Sequence, residues 1–105
     1  MSYDEELASR LRKLLPKATE KRMFGGMGLM ERGNLVAGVS HEDLIVRVFP
    51  DETAKWLGEP GAHEMMPGKS MKGWLKVSST VLDDDRNLER WVSRSRAATR
   101  KLPAK

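Results

Sequence analysis

The sequence predicts an α+β fold in which helices pack on one antiparallel sheet. Amphipathic helical patterns stand at both ends of the chain, and short β-type segments bounded by turn residues lie between them. Short turns between successive strands favour antiparallel pairing. The predicted order is α-βββ-α-ββ-α, in a single domain that spans residues 1–105.

The first helix is predicted to end near Leu15, because Pro16 disfavours a helical residue before it. Ser2 and Glu5 have the spacing of a capping box, in which each side chain satisfies a free amide at the start of a helix. One apolar stripe at helical spacing consists of Leu7, Leu11, Leu14 and Leu15.

A β meander is predicted next, with strands over Lys21 to Glu31, Leu35 to Val39 and Leu44 to Phe49. Arg32-Gly33-Asn34 and residues 40–43 form the turns between them. Alternation of side chains predicts that Leu35, Ala37 and Val39 share one face of the second strand. The first strand contains Gly25, Gly26 and Gly28, which indicate a bulge or a close backbone approach.

The second half of the chain is predicted to hold a short helix from Asp51, as its cap, to about Leu57. Two strands follow, over His63 to Met66 and Gly73 to Val77. The last helix is predicted over Asp84 to Lys101. Its core-facing arc consists of Leu88, Trp91, Val92, Ser95, Ala98, Thr99 and Leu102.

Positive charge is concentrated at the end of the chain. The net charge is +4, but residues 86–105 hold seven basic residues and one acid, a net of +6, so the other 85 residues carry −2. This asymmetry favours an acidic partner, whereas a solvated helix surface is the simpler explanation. The candidate partner-binding residues are Arg90, Arg94, Arg96, Arg100 and Lys101.

No pattern in the sequence indicates catalysis. The chain has no cysteine, and His41 and His63 do not have the spacing of zinc ligands. Gly68-Lys69-Ser70 lacks the preceding glycine and following helix that a phosphate-binding loop needs. We therefore expect no enzyme activity, no cofactor and no metal. A small-molecule pocket near Gly25-Gly26 and Trp74 stays open as an alternative.

Seven methionines include two clusters, Met23, Met27 and Met30 and then Met65, Met66 and Met71. Flexible thioether side chains fill irregular cores and also line adaptable binding surfaces. Both uses stay open, and we expect a metal site here far less than either.

Five segments in order resemble the N-terminal domain of the TfoX/Sxy competence-regulator family. They are Tyr3 to Ala8, Arg22 to Leu29, Leu44 to Val48, Met71 to Trp74 and the closing helix with Trp91-Val92. The residues that carry the two glycine-containing motifs are Met23, Phe24, Gly25, Gly26, Gly28, Gly73 and Trp74.

The resemblance implies a fold similar to that of secretion chaperones and a role like that of a transcription co-regulator. Full-length members regulate natural competence with the cyclic-AMP receptor protein, and they carry a C-terminal domain that is not found in these 105 residues. The family supplies no catalytic residues to transfer.

We therefore expect a cytoplasmic, non-catalytic regulatory module that binds a protein partner, as a monomer or a homodimer. No apolar run approaches the ~20 residues that a membrane span needs. The alternative is a nucleic-acid accessory protein that makes non-specific contacts through the basic closing helix.

Overall fold

The computed structural model of the protein describes residues 4–23, 26–65 and 71–103. These residues form helices α1–α3 and strands β1–β6, with a 3-10 turn at Pro50–Glu52 and another at Ser79–Val81. In chain order the elements are α1 Glu5–Leu14, β1 Thr19–Met23, β2 Gly26–Glu31, β3 Asn34–Ser40, β4 Asp43–Arg47, α2 Thr53–Leu57, β5 Ala62–His63, β6 Trp74–Val77 and α3 Asp85–Arg100.

The strands form one antiparallel sheet in the order β1-β2-β3-β4-β6-β5, which confirms the predicted α+β fold class. The segment predicted as one strand over residues 21–31 supplies both β1 and β2. These strands pair from Thr19 opposite Met30 to Met23 opposite Gly26. The structure thus has two antiparallel strands where one was predicted, which adds a strand to the predicted meander.

Two rows of paired apolar residues cross the middle of the sheet and form the core. One row runs through β2, β3, β4 and β6 as Met27, Val39, Leu44 and Val77, and the other as Leu29, Ala37, Val46 and Leu75. All eight are buried in one cluster with apolar residues of α1 and α3. Full burial of a leucine or valine side chain contributes about 1.5–3 kcal/mol, so these rows are the main attachment of both helices.

A β-bulge in β3 changes which residues face the helices. Leu29 lies opposite Ala37, but the next residue, Met30, lies opposite Leu35, so Val36 is the extra residue. Val36 joins the core cluster, whereas Leu35 is buried outside it. The prediction that Leu35 shares a face with Ala37 and Val39 is therefore wrong, because a one-residue shift in register reverses the side of every residue beyond it.

Ser95 of α3 lies where the pairing of β3 with β4 ends, beyond Ala37 and Val46. Its Oγ accepts a hydrogen bond of 3.0 Å from the backbone N–H of Arg47. The Arg47 Nε donates to the Leu35 carbonyl at 3.1 Å, and its guanidinium stacks 4.1 Å from the centre of the Trp74 ring. Burial lowers the pKa of Arg47. Side chains thus satisfy backbone groups that the ladder leaves unpaired.

Aspartates cap the two long helices. The Asp4 carboxylate accepts from the N–H groups of Glu6 and Leu7, and the Asp84 carboxylate accepts from Arg86 N–H. The predicted cap Ser2 lies outside the described residues. The prediction that Asp51 caps α2 is wrong, because Asp51 lies inside the 3-10 turn that precedes α2, and no side chain caps that turn or α2.

Gly73 connects the start of β6 to the segment after β4. Its φ of +89° is a backbone conformation that glycine adopts without strain. Its N–H donates to Thr53 Oγ1 at 2.7 Å, and its carbonyl accepts from Val48 N–H at 2.9 Å. The Gly73-Trp74 motif therefore holds α2 and the end of β4 against the sheet.

Gly26 marks a close approach of β2 and β3. A Cβ atom at this position would overlap the carbonyl oxygen of Val39, a backbone atom that cannot rotate away. The expected close backbone approach thus occurs at Gly26, while the bulge lies farther along, opposite Leu29.

We predict that Gly26→Ala lowers the free energy of unfolding by about 1–3 kcal/mol or more, because the added methyl overpacks against backbone. Urea denaturation followed by circular dichroism measures this change. Gly58→Ala is the matched control, since its Cβ would lie at an ordinary contact distance of 3.5 Å from the Lys55 carbonyl. Equal stability of the two variants would contradict the overlap.

Arg12 of α1 holds Glu20 of β1 through two hydrogen bonds, Nε to Oε2 at 3.0 Å and Nη2 to Oε1 at 2.9 Å. The hydrogen bond from Arg12 lowers the pKa of Glu20 below its ordinary value of 4.5. Glu20 therefore contributes stability above that ordinary pKa, and the contribution is lost as the pH falls through the lower, folded-state pKa.

We predict that Arg12→Gln raises the pKa of Glu20 toward its ordinary value, measured by NMR titration of the Glu20 carboxyl carbon. The difference in stability between the parent and Glu20→Gln should shrink as the pH falls below about 4.5. A Glu20 pKa that stays unchanged in Arg12→Gln would show that the pair is not formed in solution.

Candidate interaction surface

The five candidate basic residues in and just after α3 divide into two groups that the sequence does not distinguish. Arg94 and Arg96 are held by acids of the same chain. Arg90, Arg100 and Lys101 are exposed. The five candidate residues therefore do not form one continuous surface.

Arg94 lies against two tryptophans. Its guanidinium carbon is 3.9 Å from the centre of the Trp56 ring and 4.6 Å from that of Trp91, and the two rings meet edge to face. Its Nη1 lies 3.3 Å from Oε1 of Glu59. This nitrogen is buried and makes no hydrogen bond, so the contact with Glu59 is an ion pair of imperfect geometry. Arg94 thereby joins α3 to α2.

Arg96 lies on the other flank of α3, beside the end of β2. Its Nε is 3.5 Å from Oε1 of Glu31, and this nitrogen too is buried without a hydrogen bond. Both partners are largely covered, so Arg96 neutralises the Glu31 carboxylate at short range.

Next to this pair lies an open cleft of about 320 Å³, which we name the basic cleft. Lys17 comes from the turn between α1 and β1, and Thr19 begins β1. Met30 and Glu31 come from β2, Arg32 from the turn after β2, and Arg100 from the last turn of α3. Its lining residues are Lys17, Thr19, Met30, Glu31, Arg32 and Arg100.

The fold fixes Arg32 at the rim of the basic cleft. Arg32 has a φ of 54° in the two-residue turn between β2 and β3, and its Nη2 donates to the carbonyls of Arg100 and Leu102 at 3.1 and 3.2 Å. A cation at this position also compensates the partial negative charge of the C-terminus of α3. The Arg32 guanidinium is therefore preorganised.

The charge of the basic cleft is unbalanced. Glu31 is its one carboxylate among the described lining residues, and Arg96 already neutralises it. Lys17, Arg32 and Arg100 make no ion pair with any described acid, and the Asp and Glu residues of the sequence all lie in the described segments. Three cations thus remain without a carboxylate from the segments that the structure describes.

The glycine-containing motifs belong to the sheet. Gly28 pairs with Gly38 in the middle of the sheet, and Trp74 opens β6 beneath Arg47. The backbone of Met23 ends β1, while Phe24 and Gly25 lie outside the described residues. Of four clefts lined by described residues, none is lined by Gly26 or Trp74.

The methionines do not gather at a single surface in the described part of the chain. Met27 and Met65 are buried, and Met30 and Met71 are partly exposed. Met66 lies outside the described residues. Within residues 4–23, 26–65 and 71–103, no group of three or more histidines or acids could hold a metal ion. No helix of these residues is long and apolar enough to cross a membrane.

A family model described as the TfoX N-terminal domain matches residues 9–99 of the chain. The chain belongs to this family. The match confirms the resemblance on which the expected fold and role rest. A search of curated proteins and a search of solved structures each found no match.

In this TfoX N-terminal domain, two of the three cations of the basic cleft, Lys17 and Arg32, are not among the binding residues predicted from the sequence. Lys17 follows the first helix, and Arg32 is part of a turn, so neither belongs to the basic run at the end of the chain. The sequence signal at Arg32 is the Arg32-Gly33-Asn34 turn, which predicts a chain reversal but not a role for the Arg32 side chain. The proximity of Lys17 to Arg100 arises only in the tertiary structure.

We predict that Arg94→Met lowers the free energy of unfolding by about 1–2 kcal/mol, because it removes a partly buried cation from two tryptophan rings. Arg90→Met, one turn earlier on the same helix, should change stability by less than about 0.5 kcal/mol. Chemical denaturation monitored by tryptophan fluorescence measures both. If the two substitutions have equal effects, the stacking of Arg94 does not contribute to stability.

Proposed function

We propose that this TfoX N-terminal domain is a non-catalytic regulatory module that binds an acidic segment of a protein partner in the basic cleft. One observation carries the proposal: Lys17, Arg32 and Arg100 line one cleft, and none of the three forms an ion pair with a carboxylate of the described residues. Membership of a family named after a competence regulator agrees with a regulatory role.

Carboxylates suit this cleft for a geometric reason. Arginine donates from a rigid planar fork that matches the two oxygens of a carboxylate, and Arg32 is already oriented by two backbone carbonyls. Less side-chain entropy is then lost when a ligand binds. Met30 and the Thr19 methyl supply apolar contact between the charges.

The nucleic-acid alternative needs a longer row of free cations. Arg94 and Arg96 interrupt the basic side of α3 because their guanidinium groups are bound to Glu59 and Glu31. A phosphate backbone would thus meet separated cations instead of a continuous stripe. This favours a short acidic protein segment over duplex DNA.

The decisive variant reverses two charges in the cleft, Lys17→Glu with Arg100→Glu. We predict that this double variant binds a fluorescein-labelled oligoglutamate peptide about tenfold more weakly than the parent, which corresponds to about 1.4 kcal/mol. Arg86→Glu with Arg90→Glu changes the net charge equally at exposed positions of α3 outside the cleft, and should reduce affinity only slightly.

Fluorescence anisotropy at about 50 mM salt measures the peptide affinities, and the same variants are titrated with duplex DNA over a range of salt concentrations. Equal losses of peptide affinity in the two double variants would contradict the proposal, because only overall charge would then matter. The nucleic-acid alternative would be supported instead if the parent binds DNA tightly with a steep salt dependence and the Arg86→Glu with Arg90→Glu variant does not bind.

A further inference from the structure

Strand β1 forms one edge of the sheet, and β2 is its only neighbour among the described strands. The side chains from Thr19 to Arg22 are exposed. Every second residue of an edge strand directs its N–H and C=O groups away from the sheet, where another strand can pair with them. At the opposite edge, β5 has only two residues, so β1 offers the longer edge for pairing.

The edge of β1 has a positive charge that the fold does not neutralise. Lys21 and Arg22 make no ion pair with a described acid. Glu20, the one acid in the strand, is already bound by Arg12. Lysine at an edge opposes pairing with neutral or basic strands, and favours a strand that carries carboxylates.

The edge is continuous with the basic cleft. Thr19 begins β1 and also lines the cleft, and Met30, which lies opposite Thr19, lines it as well. A strand laid along β1 therefore passes the cleft at one end. Its side chains would meet Lys21 and Arg22 first and the cleft cations Lys17 and Arg100 next.

We infer that the outer edge of β1 accepts an extended acidic segment of the partner as an additional strand, with one acidic side chain reaching into the basic cleft. The inference rests on the proposed function and adds the backbone conformation of the bound segment. Lys21 and Arg22 are successive residues, so they lie on opposite faces of the sheet. A matching segment therefore carries two adjacent acids, one for each face.

A second copy of the chain is a poorer occupant of this edge. It would bring the same unpaired cations to the interface. In a symmetric antiparallel pairing centred on Lys21, the two Lys21 side chains oppose each other, which is destabilising. Glu20 would lie opposite Arg22 of the other copy, but its carboxylate is already occupied by Arg12.

Backbone methylation of the ligand tests this inference without altering the protein. The probe is a short threonine–valine peptide with two adjacent glutamates at its centre and a glutamate near each end. Two further peptides of the same sequence are N-methylated at alternate residues, one on the odd set and one on the even set. Pairing with an edge uses the amides of one set only, so one methylated peptide should bind at least about tenfold more weakly than the other.

Amide hydrogen exchange of the full chain provides the second readout. The unmethylated peptide should slow the exchange of outward-directed amides between Thr19 and Met23, and Lys21→Glu with Arg22→Glu should weaken its binding about tenfold. Equal affinity of the two methylated peptides, with no protection of β1, would overturn the inference.

The outcomes separate this inference from the proposed function. If the two methylated peptides bind equally, and the Lys17→Glu with Arg100→Glu variant loses binding, the added strand is refuted. The proposed acidic-segment site in the basic cleft is then supported. If the two methylated peptides differ in affinity, but the Lys17→Glu with Arg100→Glu variant binds like the parent, the added strand is supported. Binding of an acidic segment in the basic cleft is then refuted. Absence of binding by every peptide contradicts both, and a concentration-dependent dimer with protected β1 amides identifies a second copy as the occupant.

Discussion

The bulge in β3 is the constraint on which the position of α3 depends. Because Val36 is an extra residue, Val36 and Ala37 both oppose Leu29, and Asn34 lies opposite Glu31. The buried Asn34 then donates from Nδ2 to the Pro103 carbonyl, while Glu31 pairs with Arg96. Both contacts fix the C-terminal half of α3 over the end of the sheet, where Arg32 can reach its last carbonyls. The wall of the basic cleft follows from one shift in register.

The same region shows why polar residues interrupt the apolar side of α3. Beyond Ala37 and Val46 the strands no longer pair, and an unsatisfied buried amide or carbonyl costs about 1–3 kcal/mol. Ser95 accepts from the Arg47 amide, and Thr99 Oγ1 donates to the Ser95 carbonyl at 2.6 Å. The small hydroxyl side chains thus allow α3 to lie close to the sheet and to complete its hydrogen bonding.

The arginines of this chain serve two purposes that residue type alone does not separate. Arg94 stacks on Trp56 and Trp91 and pairs with Glu59, so it joins α3 to α2. Arg100 lies in an open cleft and forms no ion pair with an acid of the described residues. Binding at the cleft therefore requires no rearrangement of the core, since the cations there are already exposed and only Arg32 is oriented by the fold. The outer edge of β1 lies next to the cleft. Its backbone N–H and C=O groups would orient a bound segment that is otherwise held by charge alone.

Elements whose signals are local could be predicted from the sequence. The leucine spacing of α1, the turn at Arg32-Gly33 and the arc of α3 from Leu88 to Thr99 all depend on residues within a few positions of one another, and the structure confirms them. Neither the reversal between β1 and β2 nor the bulge at Val36 could be predicted, because each is set by pairing with another strand. The basic cleft was decided by tertiary structure alone. Lys17, Arg32 and Arg100 are far apart in the sequence, and only the packing of α3 across the sheet brings their charges together while acids of the same chain occupy Arg94 and Arg96.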